Sequence, residues 1–238
     1  IDDNDNTIKG EVYLDVTNAG QVIYFNPETN KKCSEADAVS TTGTKTGCMK
    51  WYIYDDSGST YKMILDHNTT AMVVWNSTGS NSSMKEVATA LSNDTSSWNS
   101  SLNARLISAD EIARITGNTT FNQATTGASG YFYFDSNSTT RVANSTNKSA
   151  YAWLYDYTFG CTTYGCNIED NYQYPYITGE GATGTTTTPG YYTSEPVYGW
   201  DLRVWVVANQ GYLGLTVPNN RLGIRPVITL PKILIDKT

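Results

Sequence analysis

Short apolar runs crowd both ends of this chain, while a helical period occurs only between them. "EVYLDV", "QVIYFN", "KWYIY", "YKMILDH" and "AMVVWN" read as early strands, and "RVWVV", "YLGLTV" and "RPVITL" as late ones. The turn-forming "TNAG" and "DDSGST" split the first four into two hairpins. In "SSMKEVATALSND", Met84, Val87, Ala88 and Leu91 share one helical face. In "LISADEIARITG", Ser108 and Glu111 form a capping box, Ile112 and Ile115 share a face, and Gly117 supplies the stop. Helices this short need a sheet to lie on. The pattern therefore predicts an α+β fold of mixed and antiparallel strands, two short amphipathic helices and long irregular loops. No fixed-period repeat or shift of composition divides the 238 residues. The expected organisation is a linker or frayed end over 1–7, marked by "DDNDN", and one domain over 8–238.

Charge narrows the function. With 16 Lys and Arg against 23 Asp and Glu, a net charge of −7 and no basic cluster, the composition disfavours a general nucleic-acid binder, and no nucleic-acid partner is expected. The palette of 18 Tyr, 6 Trp and only 16% charged residues suits an extracellular β-rich protein. No apolar run reaches the roughly 18 residues of a membrane span, so this segment is expected to make no membrane contact. Its start at "IDDNDNTIKG" leaves room for a leader, an anchor or a pilin-like helix upstream.

Four cysteines fall as two close pairs, Cys33/Cys48 and Cys161/Cys166. Three connectivities are open, and the simplest closes the local loops "SEADAVSTTGTKTG" and "TTYG". Zinc is the competing reading, but the spacings do not make knuckles and the one histidine, His67, lies outside both loops. Two disulfides imply an oxidising compartment, placing the chain outside the cell, on its surface or on a virion.

No catalytic constellation is visible, and the expectation is that the chain is not an enzyme. His67, in "ILDHNTT" at a strand end, reads as a turn anchor because no nucleophile accompanies it by spacing. Asp55/Asp56 and Glu169/Asp170 are acidic pairs that leave open a structural calcium, though "DDSGST" lacks EF-hand spacing and reads as a hairpin turn. No other cofactor is implied. Trp153, Tyr155 and Tyr157 in "YAWLYDY" read as a strand with one set of rings in the core, and "GEGATGTTTTPG" as an exposed loop. Arg225 in "GIRPV" reads as a structural arginine bonded to carbonyls or a carboxylate.

"TGCMKWY", "MILDHNTT", "ARLISADEIARITG", "YAWLYDYTFGCTTYGC" and "GIRPVITL" together resemble an extracellular domain common in gut Firmicutes. The C-terminal part is similar to the variable proteins of diversity-generating retroelements. The resemblance covers about Glu11 to Leu230 and implies a C-type-lectin-like fold with a ligand-display region over 198–222. Val204, Trp205, Val207, Gly211, Leu213, Val217, Gly223, Arg225, Pro226 and Val227 would then be the frame. Tyr198, Trp200, Asp201, Arg203, Asn209, Gln210, Tyr212, Leu215, Thr216, Asn219, Asn220 and Arg221 would face the ligand, with strand alternation sending them outward. Adenine mutagenesis of asparagine codons, as in that family, reaches all of these but Trp200 and Gln210. The sugar-binding calcium motifs of animal lectins are absent, "SEPV" at Glu195 and Pro196 being a partial echo. The implied role is binding to a protein or glycan on a cell, a microbe or a phage receptor. The alternative is a structural head of a pilin-like fibre or phage particle, in which the same face packs against its own copies.

Overall fold

The computed structural model describes residues 19–40, 43–135, 150–155, 190–208 and 211–236. The region is α+β, built mostly of antiparallel sheet with few helices. The early strands are β1 (Gln21–Asn26), β2 (Lys31–Lys32), β3 (Met49–Ser57), β4 (Thr60–Leu65) and β5 (Thr70–Val74). Helices α1 (Lys85–Asp94) and α2 (Ala109–Ile115) follow, with the short strands β6 (Arg105–Leu106) between them and β7 (Phe132–Tyr133) after. The one-turn α3 (Ala152–Tyr155) precedes the late strands β8 (Tyr191–Pro196), β9 (Val204–Ala208), β10 (Tyr212–Thr216), β11 (Arg221–Ile224) and β12 (Pro226–Pro231), and α4 (Ile233–Asp236) comes last.

Two sheets result. One runs β2-β1-β3-β4-β12-β6, so the late strand β12 lies against β4 of the early hairpin. The other runs β5-β11-β8-β9-β10-β7, antiparallel except where β11 meets β8 at Gly223 and Tyr191. Side-chain alternation explains why they stack. On β3 and β4, Trp51, Ile53, Tyr61, Met63 and Leu65 enter a core capped by Trp98, Leu102 and Ile235. Tyr52, Tyr54 and Ile64 face the opposite way, into a core shared with α2, α3 and the inner face of the second sheet. A third cluster packs α1 through Val87 and Leu91 against Trp75, Tyr192 and Leu222.

Strand β9 is covered on both faces, and the expected frame residues Val204, Trp205 and Val207 are all buried. Trp205 and Val207 fill the inter-sheet core, Val204 and Val206 fill the cluster under α1, and none is more than 5% exposed. A central strand with cover on both faces needs apolar residues throughout. The sequence "VWVV" is therefore buried at every position, and β9 itself presents nothing to solvent.

Local chemistry fixes the helix ends. Ser108 and Glu111 make the reciprocal capping box of α2. Helix α1 has no side-chain cap; the Trp75 carbonyl accepts from the Lys85 and Glu86 amides instead, satisfying two first-turn donors. Trp153, expected on a strand, is buried on α3, and Tyr157 lies outside the described residues. Strand β8, "YYTSEP", carries no strand periodicity in its sequence. Its approach to β9 is so close that a Cβ on Gly190 would sit 1.4 Å from the Val207 carbonyl oxygen.

Cys33 and Cys48 form a disulfide with a Cα separation of 6.1 Å. Cys161 and Cys166, the acidic pair Glu169/Asp170 and the terminal segment 1–7 lie outside the described residues. No helix among the described residues is long and apolar enough to cross a membrane.

Candidate functional site

The connection from β8 to β9, residues 197–203, is where buried frame gives way to exposed side chains. Val197 is 2% exposed and plugs the core; its amide donates to the Arg203 carbonyl at 2.9 Å and closes the loop at its base. Inside, the Trp200 amide donates to the Val197 carbonyl at 3.3 Å. Gly199, at φ 69°, supplies the left-handed residue this turn requires. The consequence is a compact turn that lifts Tyr198, Trp200 and Leu202 into solvent at 57%, 51% and 58% exposure. Asp201 is exposed beside them, and Arg203 is half-buried, its Nη1 donating to the Leu202 carbonyl at 2.8 Å.

Two distant segments support this turn. The Asn81 side-chain amide donates to the Trp200 carbonyl at 2.5 Å and to the Arg203 carbonyl at 3.0 Å. On another side lies Gly127, where a Cβ would stand 3.8 Å from the Trp200 Nε1. Neither residue belongs to the region 198–222 that the resemblance leads one to expect for ligand display.

The remaining display positions divide. Asn219, Asn220 and Arg221 are exposed, and Thr216 Oγ1 accepts from Asn220 Nδ2 at 2.6 Å. The Asn220 carbonyl accepts from the buried Tyr192 hydroxyl at 2.5 Å, whose oxygen in turn accepts from the Trp75 amide at 3.2 Å. Leu215 and Thr216 are half-buried, Leu215 packing against the inter-sheet core, so strand β10 offers only part of its outer face. Tyr212 is half-buried with its ring 5.0 Å from that of Tyr133. Burial, then the nearby Tyr133 and Tyr131, raise its pKa. Tyr131 and Tyr133 thus join the margin of this face, although "YFYFD" carries no mark separating them from core aromatics. Asn209 and Gln210 lie outside the described residues.

The residues weighed for chemistry have structural employment. His67 is fully buried with Nε2 at 2.9 Å from the Thr44 carbonyl, and burial pushes its pKa down to about 4. Asp55 lies in β3, ahead of the turn, and pairs with Lys62 and Arg114 at 3.0 and 3.1 Å; Asp56 pairs with Lys232. Glu195 accepts the Ala109 amide at 2.9 Å, tying β8 to the start of α2, and its pKa is raised by burial. Burial also opposes ionisation of Glu111, but hydrogen bonds from Arg105 and the Ser108 amide, with the Arg105 and Lys62 charges, hold its carboxyl down at about 2. Among the described residues no group of three or more His, Cys, Asp or Glu is placed to hold a metal ion. A surface cleft of about 420 Å³ beside α2 is lined by Asp110, Arg114, Asn118 and Phe121 among others. Its Arg114 is the one already paired with Asp55.

Comparison with protein-family models, with curated proteins and with solved structures found no match to this chain.

Proposed function

We propose that this chain is an extracellular ligand-binding module of receptor or adhesin type. A C-type-lectin-like scaffold holds a preorganised patch within residues 198–222, and the chain acts by recognition rather than catalysis. The carrying observation is the position of Trp200. Five of the six tryptophans are no more than 6% exposed, whereas Trp200 is 51% exposed between two other exposed large side chains. Leaving such a ring in water forgoes roughly 1.5–3 kcal/mol of burial, which a partner covering it would recover.

The order of early hairpin, two helices and closing strands, with β12 against β4, supports the lectin-like reading. The Cys33–Cys48 disulfide is compatible with an extracellular protein. Tyr, Trp, Arg and Asn at the exposed positions are residues that anchor interfaces or adapt their hydrogen bonds. The ligand class is a protein or glycan on a host cell, a neighbouring microbe or a phage receptor.

The test compares wild type with the double variant Tyr198→Ala, Trp200→Ala for retention on intact cells of candidate hosts and microbes. Loss of retention at an unchanged melting temperature supports the reading. Retention equal to wild type refutes it. If instead the wild type sediments as an oligomer and the double variant as a monomer, the face serves self-assembly of a structural head.

A further inference from the structure

Resting on that reading, we infer that Asn81 is the positioning residue of the recognition turn, and that the loop it stands on, residues 76–84, holds the two presented segments in fixed register.

A primary amide has two N–H groups. Those of Asn81 are directed at two carbonyls on opposite sides of one turn, Trp200 at 2.5 Å and Arg203 at 3.0 Å. Bridging both pins the arc that carries Trp200, Asp201 and Leu202. The same loop reaches the second segment, because the Asn76 amide donates to the Pro218 carbonyl at 3.2 Å. A clamp works only if it is itself rigid, and Asn76 supplies that rigidity. Only 5% exposed, it accepts from the Thr78 amide and hydroxyl at 2.9 and 2.7 Å and donates to the Ser83 carbonyl and hydroxyl, each at 3.2 Å. At the far side the Ser77 amide donates to Glu86 on α1 at 3.0 Å, fastening the loop to a packed helix.

The physical consequence is preorganisation. A seven-residue connection with three large exposed side chains would otherwise lose conformational freedom on binding, and that cost would weaken affinity. Held by Asn81, the turn has lost it on folding. A residue from the first half of the chain thus sets the geometry of a surface whose contacting side chains come from its last quarter.

The experiment needs no ligand. Amide hydrogen exchange is measured residue by residue in wild type, Asn81→Ala and Asn81→Asp, with Thr119→Ala, an exposed position outside the loop, as the control. Removing the two donors is expected to speed exchange at Val197 and Trp200 by roughly tenfold or more, the scale of one to two lost hydrogen bonds. Asn81→Asp behaves at least as severely, because a carboxylate faces two carbonyls. Trp205 and Val207 keep wild-type exchange, as does the whole Thr119→Ala protein. Acrylamide quenching, which reports chiefly on the exposed Trp200, rises in the Asn81 variants alone. Unchanged exchange at Val197 and Trp200 overturns the positioning role, and so does an increase spread equally over the strands, which would mark Asn81 as a general stability contact. Failure of the wild type to bind any cell would sink the recognition reading while leaving these exchange results standing.

Discussion

Arg225 reaches back to Leu65: its Nε donates to the Leu65 carbonyl at 2.5 Å, while Nη1 and Nη2 donate to the Leu154 and Trp153 carbonyls at 2.7 and 2.8 Å. One fully buried guanidinium thereby joins the end of β4, the helix α3 and the β11–β12 junction, with its charge 5.3 Å from the Tyr191 ring. Arg225→Leu deprives buried carbonyls of these donors and is expected to cost about 3 kcal/mol or more. Arg225→Lys recovers only a part, because an ammonium lacks the planar fork. Urea unfolding measures both, and a loss under about 1 kcal/mol for the leucine variant would remove Arg225 from the frame.

The division between frame and presented loop makes opposite predictions for two tryptophans. Trp205 is fully buried, so Trp205→Ala is expected to cost about 3–5 kcal/mol. Trp200→Ala stays within about 0.5 kcal/mol, since half of that ring already faces water. In the same way Val207→Asp buries an unpaired charge and costs several times more than Asn220→Asp. Comparable drops in melting temperature for the paired variants would contradict the division.

The Cys33–Cys48 disulfide closes a sequence separation of 15 residues. Chain entropy sets its worth at about 3 kcal/mol. Non-reducing peptide mapping is expected to recover these two cysteines linked, and the Cys33→Ser, Cys48→Ser variant to unfold at correspondingly lower denaturant. A link from either cysteine to a different partner would refute the local pairing.

His67 gives a pH dependence whose sign is fixed by its burial. Burial lowers its pKa from 6.5 to about 4, although the Thr44 carbonyl and Asp66 favour the proton; Arg225 opposes it. The unfolded chain therefore takes up a proton first as pH falls. The stabilising contribution is complete above about pH 6.5 and is lost progressively toward pH 4, amounting to roughly 3 kcal/mol. NMR titration of the chain's one histidine reads this without assignment ambiguity. A midpoint near 6.5 in the folded protein would contradict the burial.

Much of the fold was legible because its signals are local. The Met49–Ser57 and Thr60–Leu65 hairpin, the capping box at Ser108 and Glu111, and the helical face of Val87 and Leu91 each depend on neighbours in sequence. Strand β8 was not, since "YYTSEP" buries Tyr191, Tyr192 and Thr193 consecutively, and so shows neither a period of two nor a purely apolar run. Only the placement of α1 on one side and the first sheet on the other reveals that both faces of β9 are covered. Asn81 was illegible for a different reason: in "GSNSSM" it is one polar loop residue among several, and its role exists only through carbonyls more than a hundred positions away.

On the proposed reading, a fixed frame carries a changeable presented surface. Sequencing this locus across a population of its source organism puts that division to the test. Substitutions are expected only in codons within 198–222, with those for the buried Val204, Trp205, Val207 and Leu213 unchanged. Variation spread evenly over the chain would contradict it.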